Sequence, residues 1–291
     1  MPKHAKPRET GRGGGKARAI FVVVLFLIGA AIMLYPAYSY LYNEFLYARA
    51  AADYQQTVDA GSAEEMAQAW KQARAYNKAH TLNVIVDPFE EDGTLKPEDP
   101  EYLRQLSVAG DGVMAYVDIP KIGQRLPVYH GASGEVLDKG IGHLSGTSLP
   151  VGGKPSHCVL SGHRGLPSKT LFTDLDQLER GDLVNVHVVG HDLSYKVDTI
   201  TVVKPELVDS LAIQPGKDLL TLVTCTPYAV NTHRLLVTGH RVPYVPPEDG
   251  EPALWWLAAF SPQTLALAGA FTLVVLGGFY VLMRRMRGRD R

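Results

Sequence analysis

A cysteine in the stretch TLVTCTPYAVNTHRLLVTGHR, residues 221–241, ends an apolar run, and nine positions later Arg234 opens a second one. The chain of 291 residues has only one other cysteine, Cys158. A thiol of ordinary pKa is a few per cent thiolate at neutral pH, and that thiolate is a strong nucleophile. To open a carbonyl it needs a proton partner and a cationic or hydrogen-bonding group for the oxyanion. Histidine suits the first role because it titrates near neutral pH. Arginine suits the second, being permanently charged and rigidly forked. Cysteine, histidine and arginine together could perform nucleophilic acyl transfer.

Ten histidines compete for the part of base. His4 sits in a basic tail, and His187 and His191 fall on a predicted surface strand and turn. His80, His130, His143, His157, His233 and His240 each read as structural groups. His163 differs, because it ends an apolar run in LSGHRGLP, residues 160–167, where glycines leave its ring room to project. Arg234 lies beside the end of the cysteine's strand, with Arg164 and Arg241 as competitors. A disulfide is the other use for two cysteines. Alternation in HCVLSGH puts His157, Val159, Ser161 and His163 on one face and Cys158 and Leu160 on the other. If His163 faces the site and no bulge intervenes, Cys158 faces away from it and reads as a small buried hydrophobe rather than half of a disulfide.

These groups need a scaffold. Strand-like alternation covers 113–119, 126–130, 157–162, 183–189, 194–203, 219–225 and 234–242, separated by Gly, Pro, Asn and Asp. One short helix is predicted at 168–181, with Leu171, Leu175 and Leu178 on one face and Gly181 as its stop. Many short strands with few helices argue a closed or nearly closed β-barrel of roughly 140 residues. Before it, residues 41–80 are alanine-rich with a helical period. Gly61 interrupts them, and Ser62 with Glu65 forms a capping box that restarts the helix. Met66, Trp70 and Ala73 share one face as a packing stripe. Residues 87–101, DPFEEDGTLKPEDPE, read as a polar acidic loop.

Charge is unevenly placed. The whole chain sums to −1, residues 1–18 carry +5 and residues 284–291 carry +4, which leaves −10 between them. Each basic end abuts an uncharged apolar run, Ala19–Tyr35 and Leu265–Met283, each close to the ~20 residues that cross a hydrocarbon core. Basic flanks place both termini in the cytoplasm and residues of about 40–255 outside, with Trp255 and Trp256 at an interface. Ala37-Tyr38-Ser39 also offers a signal-cleavage site. Topology accounts for the basic tails without nucleic acid. The motifs imply neither metal nor cofactor.

The three site segments together resemble the sortase family, specifically its pilus-assembling class C members. TLVTC at 221–225 is similar to the family's nucleophile motif, and the threonine, proline, tyrosine, asparagine, histidine and arginine that follow match the class C form. LSGHRGLPSKTLFTDLDQL at 160–178 resembles the catalytic-histidine segment. The resemblance implies a mainly β, sortase-like barrel of about eight strands with short helices, an N-terminal helical and lid segment, and two flanking membrane helices. It divides the chain into a basic tail (1–18), a membrane or signal-anchor helix (19–38), an extracellular helical region with lid (39–105), the catalytic barrel (106–243), a linker (244–264), a second membrane helix (265–283) and a basic tail (284–291).

By the same resemblance Cys225 is the nucleophile, His163 the general acid/base and Arg234 the oxyanion or substrate stabiliser, with Thr224 as possible support. Asp87, Pro88 and Phe89 match a lid motif, which implies that Asp87 pairs with Arg234 and Phe89 covers Cys225. The implied partners are the lipid bilayer and pilin subunits carrying an LPxTG-like sorting signal and an acceptor lysine. The implied reaction joins pilins by isopeptide bonds on a Gram-positive cell surface. Rival readings are a cell-wall-anchoring sortase that uses a peptidoglycan-precursor amine, an exported cysteine protease and a non-catalytic membrane-anchored scaffold.

Overall fold

A capping box divides the helical region where the sequence places it. In the computed structural model, which describes residues 14–80, 98–166 and 168–246 with 269, 277, 278 and 284, helix α1 runs Gly14–Ala60. Ser62 Oγ then accepts from Glu65 N at 3.1 Å, and the Glu65 carboxylate accepts from Ser62 N at 3.2 Å. These two bonds satisfy orphan amides at the start of helix α2, Ala63–Ala79. The chain parts into two compact units between Tyr38 and Ser39.

In the first unit α1 carries the apolar run, and its large side chains from Ile20 to Tyr35 are mostly exposed. The helix is long and apolar enough to cross a membrane. The second apolar run, 265–283, lies outside the described residues except at 269, 277 and 278.

In the second unit Glu44, Tyr47, Ala51, Tyr54 and Val58 recur every three or four positions along α1, and all are buried. The Tyr54 hydroxyl donates to Met114 O and accepts from Val189 N, both at 3.0 Å, which fastens the helix to one strand and to the turn after another. Ala73 of α2 is fully buried, with Met66 and Trp70 packed against the same core. The predicted stripe is thus a packing face.

Eight strands follow: β1 (Val113–Ile119), β2 (Gln124–His130), β3 (Ile141–His143), β4 (Ser156–Ser161), β5 (Leu183–Val188), β6 (His191–Val203), β7 (Asp218–Thr226) and β8 (His233–Val242). They close a barrel in the order β1-β2-β3-β4-β7-β8-β6-β5. The pairs β2–β3 and β4–β7 are parallel and the others antiparallel. Alternate residues such as Val117, Leu126, Leu160, Val186, Tyr195, Leu222 and Val237 meet in one interior cluster. Cys158 joins this cluster as a free thiol, as its parity requires.

Seven of the strands match the alternating segments to within three residues at each end. β3 carries no alternating signal in the sequence, because three residues around Gly142 are too few to show a period of two. A Cβ there would collide with Gly131 O, so close backbone approach, not a side-chain pattern, defines this strand.

The helix expected over 168–181 does not form. Turns and one 3-10 turn, Leu175–Gln177, replace it, and Leu171 adopts φ 42°, outside the helical region. Leu171, Leu175 and Leu178 are buried all the same, so burial rather than helicity produces their spacing. The acidic loop also ends differently: Asp99 caps a short helix, α3 (Pro100–Arg104), with proline at its first position. A further short helix, α4, spans Gly134–Lys139.

His187 departs from its predicted surface place. It is buried, stacked on Tyr116 at 4.4 Å, with Nδ1 2.6 Å from Asp192 and Nε2 3.1 Å from Asp118. Burial pulls its pKa down, but the two carboxylates outweigh that and hold it above the ordinary value. A strand next to β1, under a tyrosine ring, is not the open surface that its polar neighbours indicate.

Candidate active site

Antiparallel pairing makes Cys225 and Arg234 neighbours. β7 and β8 are joined by residues 227–232, and in their register Cys225 stands directly opposite Arg234. Directly opposed residues share a face, with Cβ atoms about 5 Å apart. The nine-residue spacing in the sequence is therefore a strand end, a loop and a strand start.

His163 arrives by a parallel pairing. β4 lies beside β7 with Ser161 opposite Val223 as its last pair. Beyond that pair, Gly162 N donates to Val223 O at 3.1 Å, and the Thr224 hydroxyl donates to Gly162 O at 2.7 Å. Carried two residues past the last pair, the register sets His163 alongside Cys225. Parity agrees: Val159, Val223 and Leu236 share an apolar cluster outside the barrel interior. Cys225 and Arg234 lie two residues from Val223 and Leu236 on β7 and β8, and His163, two residues past the end of β4, lies four from Val159. All three site residues thus occupy one outer face of β4–β7–β8.

The surroundings are largely dry. Cys225 and Arg234 are each 7 % exposed, and His163 is half-buried. Burial lowers the His163 pKa, the Asp138 carboxylate raises it and the Lys169 ammonium lowers it, for a net downward shift. The ring is accordingly mostly neutral at pH 7, ready to accept a proton. Lys169 Nζ is 3.4 Å from Asp138 Oδ1, so the two opposed charges acting on His163 belong to one ion pair. No motif pointed to that pair. Its members lie thirty-one positions apart, joined only by the way α4 meets the segment after His163.

Arg234 donates through Nη1 to Asn231 O and His233 O, each at 3.2 Å, which anchors its guanidinium to its own loop. The competing arginines are engaged elsewhere. Arg164 pairs with Asp176 and donates to Thr226 Oγ1 at 3.3 Å. Arg241 lies over the Tyr195 ring at 5.6 Å. Several other histidines have structural partners, as expected: His143 with Tyr102 and Ser148, His157 with Ala212 and Thr221, His130 with Gln105, and His240 with Asp198.

Thr224, named as possible support, faces the barrel interior. Adjacent strand residues face opposite ways, so its side chain points away from Cys225 and Arg234. It is fully buried and holds the Gly162 carbonyl. Its support reaches the site through the β4 end that carries His163. Asp87, Pro88 and Phe89, the lid residues, lie outside the described residues.

Gly162 has a steric reason to be glycine. A Cβ there would meet Phe172 Cδ2 at 2.7 Å and Ile141 Cγ2 at 3.0 Å, and Phe172 is fully buried. Overpacking of this kind costs about 1–3 kcal/mol. Gly162→Ala is expected to lower the melting temperature and to shift the His163 ring resonance in NMR. An unchanged melting temperature would show that the Phe172 ring has room to yield.

A sortase domain model matches residues 117–242, which spans β1 through β8. Sortase C of Streptococcus pneumoniae, studied for its catalysis and pilin substrate specificity, is 42% identical. The alignment covers 68% of this chain and 99% of that one, with a TM-score of 0.64. Sortase C-1 of Actinomyces oris is 49% identical over 62% of this chain and 99% of its own, with a TM-score of 0.58. Sortase D of Bacillus subtilis is 33% identical over 129 residues, and the match spans 62% of that relative's length.

Proposed function

Because the chain belongs to the sortase family, with class C pilus sortases among its solved neighbours, we propose that it is a membrane-anchored cysteine transpeptidase that polymerises pilins. The convergence of Cys225, Arg234 and His163 on one face, at the ends of three neighbouring strands, carries this reading. The substrate is an LPxTG-like sorting signal, cleaved between threonine and glycine.

His163 takes the Cys225 proton and the thiolate attacks the threonine carbonyl. Arg234, fixed beside the thiol, faces the oxyanion that forms. The protonated His163 then gives its proton to the departing glycine amine, and a thioacyl-enzyme remains. For the second half, a pilin lysine amine attacks the thioester and loses a proton to His163. Cys225 leaves as thiolate and the product is an isopeptide bond. Neutral His163 suits both halves, because each begins by accepting a proton. The apolar floor of Val159, Val223 and Leu236 strengthens the electrostatics at the reacting carbon.

The reading includes a two-pass topology, with residues 19–38 and 265–283 in the membrane, both termini cytoplasmic and the barrel outside. Apolar length and flanking arginines and lysines support it. No cofactor takes part in these steps.

The test mixes the full chain in detergent micelles with its candidate pilin. Mass spectrometry should find a thioacyl adduct on Cys225, then isopeptide bonds between pilin subunits. An adduct without polymer would favour wall anchoring or hydrolysis. Absence of any adduct would reject acyl transfer.

A further inference from the structure

Glu44 is a buried carboxyl that the reaction above does not use. It lies on α1, past the apolar run, and is 2 % exposed. Both its oxygens are buried and make no well-aligned hydrogen bond among the described residues, although Thr170 and Gln124 lie near enough to bear on its charge. Tyr47 Oη, Gln124 Oε1 and Thr170 Oγ1 are buried in the same way. An ionised carboxylate in such a place is costly, whereas a neutral one can donate its own O–H to a buried oxygen.

The location connects this group to the site. One residue before it, Asn43 Nδ2 donates to Ser168 O at 2.7 Å, which fastens α1 to the segment that follows His163. That segment folds back on itself: Phe172 N donates to His163 O at 3.1 Å, and Gly165 N to Thr173 Oγ1 at 3.2 Å. Thr170, between these ties, is the residue that faces Glu44. Helix, segment and β2 therefore meet at one polar seam, with His163 at the segment's start.

We propose that Glu44 is a positioning residue for His163, whose carboxyl when protonated holds the 163–174 segment against α1 and β2 and when ionised loosens it. The inference rests on the reading of His163 as the acid–base group. Burial pushes the Glu44 pKa from 4.5 up to about 7, against the opposing pull of Thr170 and Gln124. The groups that face it are Tyr40 and Tyr47 on α1, Gln124 on β2, and Thr170 and Asp174 on the segment. Both tyrosines are pushed up by burial and stay neutral, and burial also raises Asp174. Beyond them, Asp138 of α4 bears on Tyr47.

The sign follows from linkage. With the seam closed the carboxyl titrates near 7, and opened to water it titrates near 4.5. Opening therefore grows easier by up to about tenfold per pH unit between those values and no further above 7. The segment is held most firmly in acid.

Hydrogen exchange on the full chain in micelles, corrected for intrinsic rates, tests this between pH 4.5 and 8.5. Protection of 163–174 should fall toward pH 7 and then level, while β5 amides hold constant as a reference. In Glu44→Gln, which is neutral at every pH, the fall should vanish. Infrared spectra of the unaltered chain should show a protonated-carboxyl band that titrates near pH 7, which needs no variant to fold. An unchanged fall in Glu44→Gln, or no such band, would overturn the proposal. Neither readout depends on Cys225 chemistry, so a failed acyl-transfer test leaves a different signature.

Discussion

Cys225→Ala is expected to abolish transfer of an LPxTG-like peptide, with a loss of at least about 10⁴-fold, as when the nucleophile is taken from a catalytic unit whose members act together. The fold should survive it. Cys225 lies near the end of β7, opposite Arg234, and replacing its thiol by a hydrogen costs about 1 kcal/mol, typical of a single substitution. Peptide cleavage by the full chain in micelles, set beside its melting curve, separates the two effects. A non-catalytic scaffold predicts the contrary pattern, with function intact in Cys225→Ala. If cleavage persists at the unaltered rate, the nucleophile assignment is wrong, and the reading of this face as an acyl-transfer site falls with it.

Arg234 is the second test, and it distinguishes charge from geometry. Loss of an oxyanion donor costs about 10²–10³-fold in kcat, so Arg234→Ala should fall in that range. Arg234→Lys keeps the charge but loses the planar guanidinium, whose Nη1 bonds both Asn231 O and His233 O, and should recover little. Alkylation of Cys225 by iodoacetamide forms no oxyanion. Its rate should stay within about threefold of the parent in both variants, if the contribution of Arg234 is transition-state stabilisation. Parallel losses in alkylation and peptide cleavage would instead show that Arg234 shapes the loop or the thiol, and would remove it from the oxyanion role.

The three site residues differ in what made them legible. Cys225 and Arg234 are paired by a tight antiparallel connection, so a spacing of nine residues already carries their proximity. His163 could be singled out only by its glycine-flanked context, and its resemblance to a family segment supplied the rest. The parallel β4–β7 pairing joins segments sixty-two residues apart, and alternation within each strand does not choose a strand's neighbour. The 168–181 segment departs from its helical spacing for a related reason. Its leucines recur at helical spacing because successive turns place them in the core, and the Phe172 and Thr173 amides bond His163 O and Thr170 O instead of the carbonyls a helix would use.

What the sequence determined by itself is local: seven of eight strands, the Ser62–Glu65 helix start, the apolar run of α1 and the Cys-loop-Arg hairpin. Each depends on contacts within a few residues or on a repeat matched to one element. The tertiary structure alone decided the β3 strand, the inward role of Thr224, the burial of His187 and the polar seam at Glu44. Those follow from barrel closure and from α1 packing on a segment 125 residues away. A side chain's solvent, and hence its charge, is set by that partner and not by its neighbours in the chain.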